Sequence, residues 1–174
     1  DDSEVDATAR VLVGQIQDVR IEQNVVEALR AKARKNLIEG KIYLKLGQIF
    51  KDVGLKEKAS DKAVEGLSRI DEVISVHLKA SLDREVVEEA FSVKWDLLLV
   101  QGKLREAIVV CRTLMRLFPD SSLVDQALFK IAEARMQAED YHEAMRIFHE
   151  ITRLDGSELG PAAQFRIAEV HEAL

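Results

Sequence analysis

Gly102-Lys103-Leu104-Arg105-Glu106-Ala107-Ile108 and Glu139-Asp140-Tyr141-His142-Glu143-Ala144-Met145 write one hinge pattern twice, 37 residues apart. In each, a glycine or polar residue precedes a bulky apolar residue, then an acid and an alanine. Phe129-Lys130-Ile131-Ala132-Glu133 likewise returns 36 residues on, as Phe165-Arg166-Ile167-Ala168-Glu169. A unit recurring at such an interval is a stacking unit, because one pair of helices buries its apolar face only against a neighbour.

Outward from this stretch the composition agrees. The 174 residues are 47% hydrophobic but only 5% aromatic, with two prolines, a mixture that favours helix almost everywhere. The formal charge of -6 argues against broad nucleic-acid affinity, which needs concentrated positive charge. A single cysteine, Cys111, excludes an internal disulfide and leaves the redox compartment open. No apolar run is long enough to span a bilayer, and the acidic start Asp1-Asp2-Ser3-Glu4 is unlike a signal peptide. The chain reads as a processed or excised piece of a longer protein of a soluble compartment, cytoplasmic or periplasmic.

In chain order, Ser3-Glu4-Val5-Asp6 has capping-box spacing before a periodic run. Val5, Leu12, Val19 and Val26 recur every seven residues, with Ala9, Ile16 and Leu37 beside them. The pattern predicts a long helix over residues 1–38, or a helix pair broken near Gln23-Asn24, followed by a turn at Glu39-Gly40. Farther on, Leu67, Ile70, Ile74 and Leu78 keep helical spacing. They predict an extended helix over residues 56–79, with Asp83 capping the next one.

Tyr43, Leu46, Gly47 and Phe50 stand as aromatic-x2-Leu-Gly-x2-aromatic, which resembles the first helix of a tetratricopeptide repeat. The likeness continues through Gly54 and Ala59, through Phe91, Gly102, Ala107 and Pro119, and through Ile131, Ala132, Ala144 and Phe148. Trp95 stands where the family has a small residue. The resemblance implies an all-α right-handed solenoid of helix hairpins over residues 39–174, with units at about 40–82, 88–121 and 125–158 and a truncated unit at 161–174. Small residues at Gly47, Ala132 and Ala168 would let the helices of a hairpin approach.

The family holds protein partners along an inner groove. By position, the resemblance assigns that groove to Leu44, Gln48 and Lys51, to Ser92, Asp96 and Leu99, to Gln126, Phe129, Glu133, Met136 and Gln137, and to Phe165 and Glu169. Two arrangements of Phe129 and Phe165 are open. They either close the packing between neighbouring first helices or form an exposed apolar strip that, edged by Asp96, Glu133 and Glu169, suits a basic amphipathic peptide. Leu44, Gln48 and Val93 replace the clamp residues of chaperone-binding members, which argues against that activity.

No constellation for catalysis, cofactor or metal appears. The chain has no phosphate loop, Gly-x-Ser-x-Gly, His-Glu-x2-His or Cys-x2-Cys. His77, His142 and His171 fall on different predicted elements, His149 lies two turns past His142 but without a third ligand, and Cys111 falls on a core-facing position. Residues 30–45 hold six basic residues, Arg30, Lys32, Arg34, Lys35, Lys41 and Lys45, against Glu39 alone. This local charge motivates a minor nucleic-acid reading. The leading expectation is a non-catalytic protein-interaction scaffold, and the alternative is a self-associating segment of a larger repeat protein.

Overall fold

The computed structural model describes residues 2–154 and 156–174, with the side chains of residues 2–9, 12–14, 16, 18, 19, 21, 78 and 79 outside that description. The described residues form seven helices: α1 Asp2–Asp52, α2 Lys56–Ala80, α3 Arg84–Val100, α4 Leu104–Leu117, α5 Val124–Gln137, α6 Tyr141–Thr152 and α7 Gly160–Ala173. Each packs on the next in the chain, and α1 also reaches α3. The core is a continuous band of aliphatic and small side chains from Ala33 to Val170.

Three of the connections share one backbone geometry. Gly54, Gly102 and Glu139 take positive φ of 80°, 73° and 60°. Each then directs the following helix through equivalent bonds, with the N–H of Leu55, Lys103 and Asp140 donating to Phe50, Leu98 and Arg135 carbonyls at 2.8, 2.9 and 2.9 Å. The hinge pattern of the sequence is therefore a conformation that glycine adopts freely and Glu139 adopts at a cost. Glu139→Gly is expected to raise the melting temperature, the gain being about 0.5–1 kcal/mol once the greater freedom of the unfolded glycine is set against the relieved strain.

Two of the three turns between hairpins also repeat. Ser121 and Ser157, 36 residues apart, accept from the N–H of Leu123 and Leu159 at 3.2 and 3.3 Å. The N–H groups of Ala127 and Ala163 then donate to the Leu123 and Leu159 carbonyls at 2.8 Å each.

Helix α1 differs from expectation. It runs unbroken through both Gln23-Asn24 and Glu39-Gly40, with no turn at the latter. Gly40 is buried inside the helix, and a Cβ there would lie 2.5 Å from Ile70 Cδ1 of α2. Its glycine marks a close helix crossing rather than a chain reversal. Gly47 continues the same seam, facing the Ala59 carbonyl and Val100. From the α2 side Ala59, Ala63, Gly66, Ile70 and Val73 meet it at three- and four-residue spacing.

At a rise of about 1.5 Å per residue, α1 is roughly twice as long as α2, so its N-terminal part extends beyond the hairpin. Of the sevenfold seam, Val26 packs at the edge of the core and Leu37 within it. The positions Val5, Ala9, Leu12, Ile16 and Val19, and the capping-box Ser3, lie among the side chains outside the description. Helix α2 ends one residue past the expected limit, at Ala80.

The basic run of α1 is an internal docking seam. Arg30 pairs with Glu27 at 3.2 Å, Lys32 with Glu72 at 3.2 Å, Arg34 with Asp83 at 2.8 Å, Lys35 with Glu39 at 3.7 Å and Lys41 with Glu89 at 2.6 Å. Glu72, Asp83 and Glu89 come from α2, the α3 cap and α3, so these charges fix α1 against its neighbours. Asp83 does cap α3, but through its carbonyl, which accepts from Val86 at 3.0 Å; its side chain serves Arg34 instead of the helix end.

Candidate partner-binding face

Helices α3, α5 and α7 are the first helices of successive hairpins, and one charged rail crosses all three. Lys130 of α5 reaches back to Asp96 of α3 at 3.9 Å. Arg166 of α7 reaches back to Glu133 of α5 at 2.9 Å. Within each helix the same bases hold the acid three residues on, Lys130 to Glu133 at 3.1 Å and Arg166 to Glu169 at 2.7 Å. The two Phe-basic-Ile-Ala-Glu motifs thus supply a repeating latch from each hairpin to the one before.

Expected groove residues Asp96, Glu133 and Glu169 are joined by this rail, and their charge is spoken for. Glu133 is mostly buried and accepts from both Lys130 and Arg166. Asp96 has a carboxyl pushed up from its ordinary value, chiefly by burial. Lys130 pulls it back, Glu133 pushes it further, and a hydrogen bond from Trp95 pulls weakly down. A raised folded-state pKa means that ionising Asp96 costs the native state stability. The cost sets in as pH rises above the ordinary aspartate value near 4. Asp96→Asn is expected to be more stable than the parent at pH 7, with the gap closing in acid, as read from melting temperatures across that range.

Beside the rail, Glu133, Met136 and Gln137 meet Tyr141, Arg166 and Ala173 around an open cleft of about 300 Å³. Its walls come from the end of α5, the start of α6 and the last turns of α7. Met136 and Tyr141 give an apolar floor, and exposed Gln137 offers an amide that donates and accepts.

The other expected residues are placed apart. Gln126 lines a separate hollow with Ser121, Ser122, Asp125, Gly156, Glu158 and Leu159. The Ser92 hydroxyl donates to the Glu89 carbonyl in its own helix at 2.8 Å, and Gln48, like Leu44, is half-buried on α1. Phe129 is half-buried, with its ring in edge contact with Phe148 at 5.4 Å, whereas Phe165 is 64% exposed. The pair that the sequence makes equivalent is split by the structure, because the first ring lies against α6 and the second is exposed among the described residues.

Lys130, Arg166 and Tyr141 were not among the expected groove residues. A signal for the two bases was present, since they hold the same place in both Phe-basic-Ile-Ala-Glu motifs.

Comparison with known families decides the nature of the hairpin that builds this cleft. A family model described as tetratricopeptide repeat matches residues 126–155, which take in most of α5, the Glu139 hinge and α6. The chain carries a tetratricopeptide repeat. No curated protein and no solved structure matches the chain. Within the repeat Ala132, Ala144, Phe148 and Ile151 are fully buried, and the Phe148 ring meets Phe129 of α5 edge-on. The neighbouring hairpin α3–α4 uses Ala107, Val110, Cys111 and Leu114 in the same places as the repeat's Ala144, Ile147, Phe148 and Ile151. Burial pushes the Cys111 thiol up to about 12, so it stands as a neutral packing group.

Among the described residues no three His, Cys, Asp or Glu side chains gather in a way that could hold a metal ion. His142, His149 and His171 are separately exposed. No described helix is long and apolar enough to cross a membrane.

Proposed function

We propose that the chain is a non-catalytic protein-interaction scaffold, built over residues 39–174 as a right-handed solenoid of hairpins, that holds a segment of a partner protein along its first helices. The observation that carries this reading is the coincidence of the tetratricopeptide repeat with the cleft formed by Glu133, Met136, Gln137 and Tyr141. The helices that line the cleft are already packed, so little ordering cost falls on binding. Because the acids of the rail are internally neutralised, the partner is recognised by an apolar side chain set on Met136 and Tyr141 and by hydrogen bonds to the Gln137 amide, with charge a lesser contribution. An extended peptide or a short helix fits such a site.

The test is a peptide-library selection against the whole chain, followed by anisotropy titrations of the enriched peptides. Gln137→Arg, at an exposed position, is expected to weaken them about tenfold, the loss typical of one well-placed contact. Val64→Ala, on α2 and away from the cleft, should leave them unchanged. A selection that enriches no sequence, or peptides that bind Gln137→Arg as tightly as the parent, would refute the cleft as the site.

A further inference from the structure

Helices α2 and α4 both pack on α3, and between them lies an open cleft of about 490 Å³. It is on the side of α3 away from the charged rail. Lys94 lines the cleft while Asp96 joins the rail, and residues two apart on a helix point about 160° from each other. The cleft floor is apolar, made by buried Leu98 and Val110 and half-buried Leu67, and Val109 stands at its edge 62% exposed. Leu117, two turns past Val110 on the same side of α4, is 53% exposed and prolongs the apolar surface along the helix.

The charges lining the cleft cancel in pairs, with one left over. Lys94 holds Asp71 at 2.6 Å, and Lys103 reaches Glu106 at 4.0 Å. Arg105 has no such partner, and it begins a row. Arg105, Val109, Arg112 and Arg116 follow at intervals of four, three and four residues, which sets them along one face of α4 over about 16 Å, opposite buried Ala107, Cys111 and Leu114. All three arginines are exposed, and none makes an ion pair among the described residues. Glu143 of α6 attracts Arg112, but Arg146 already holds that carboxylate at two points, 2.9 and 2.8 Å away. In contrast, Arg34, Arg84, Arg135, Arg146 and Arg166 each hold an acid within 3.0 Å.

An apolar trough edged by a row of uncancelled positive charge is complementary to a helix that is aliphatic on one side and acidic beside it. Single-stranded nucleic acid suits the row less well, because no residue lining the trough is an aromatic on which a base could stack.

We infer that the cleft between α2 and α4 is a second docking surface, which seats an acidic amphipathic helix of a partner protein. Its aliphatic side rests on Leu67, Leu98 and Val109, and its carboxylates meet Arg105, Arg112 and Arg116. This surface is separate from the cleft at Gln137 and does not depend on it.

Anisotropy titrations of the whole chain with designed peptides test the inference. The probe is an end-capped helical peptide whose glutamates recur at intervals of seven and four residues with leucines alongside. Versions with glutamine for glutamate, or serine for leucine, should bind more weakly. The double change Arg112→Glu, Arg116→Glu, at exposed positions, is expected to weaken the probe about tenfold, and a version with lysine for glutamate should prefer that variant to the parent. Val109→Asp should also weaken the probe. Lys56→Glu with Lys58→Glu changes the net charge equally at exposed positions near the start of α2, and it should leave binding unchanged, as should Gln137→Arg. The inference is overturned if the probe shows no saturable binding, if the serine version binds as tightly as the probe, or if reversing the arginines does no more than reversing the lysines. It is also overturned if an oligouridylate binds through the same arginines more tightly than the probe, which would mark a nucleic-acid surface.

Discussion

Trp95→Ala is expected to lower the stability of the chain by about 3–5 kcal/mol, the range for removing a large aromatic ring from a core. Trp95 is 1% exposed and heads the fully buried side chains by volume. It lies on α3, the helix at the junction with α1, α2 and α4. Urea denaturation followed by helical circular dichroism reads the effect as a lower midpoint. A midpoint within experimental scatter of the parent would show that Trp95 does not hold the junction together.

Gly66→Val should cost about 1–3 kcal/mol by overpacking. A Cβ at Gly66 would stand 2.8 Å from Leu97 Cδ2 and 3.1 Å from Tyr43 Cβ. Leu97 is fully buried and has no free space to turn into, while the Tyr43 Cβ moves only if α1 moves. The few tenths of a kcal/mol that valine gains over glycine in helix propensity are too small to offset this. In a double-mutant cycle with Leu97→Ala the two losses should fall short of their sum, because the truncated leucine makes room for the valine. Additive losses would place the strain elsewhere.

The hinges at Gly102 and Glu139 could be read in advance because a turn is a local event: a few residues set the dihedral angles and the first bonds of the next helix. Helix α2 followed from periodicity for the same reason, and the hairpins after it from the tetratricopeptide resemblance. The repeated Ser121-x-Leu123 and Ser157-x-Leu159 turns carry an equal local signal.

Gly40 misled because a glycine that ends a helix and a glycine that lets two helices touch are the same letter. Only the position of Ile70, 30 residues on, separates the two cases. Phe129 and Phe165 are likewise identical in their local motif, and the presence of α6 over one of them makes the difference.

The same division holds on the binding face. Glu133 and Glu169 were expected as acids lining a groove from their place in the unit. Their pairing with Lys130 and Arg166 depends on how closely α5 and α7 lie together, and it turns available charges into a latch. By itself the sequence determined that this chain is a series of helix hairpins with a tetratricopeptide-like hinge, since period and turn chemistry act over a few residues. Tertiary structure alone decided which glycines are crossings, which ring is covered and which charges are spent, because burial and ion pairing depend on what a distant helix brings alongside.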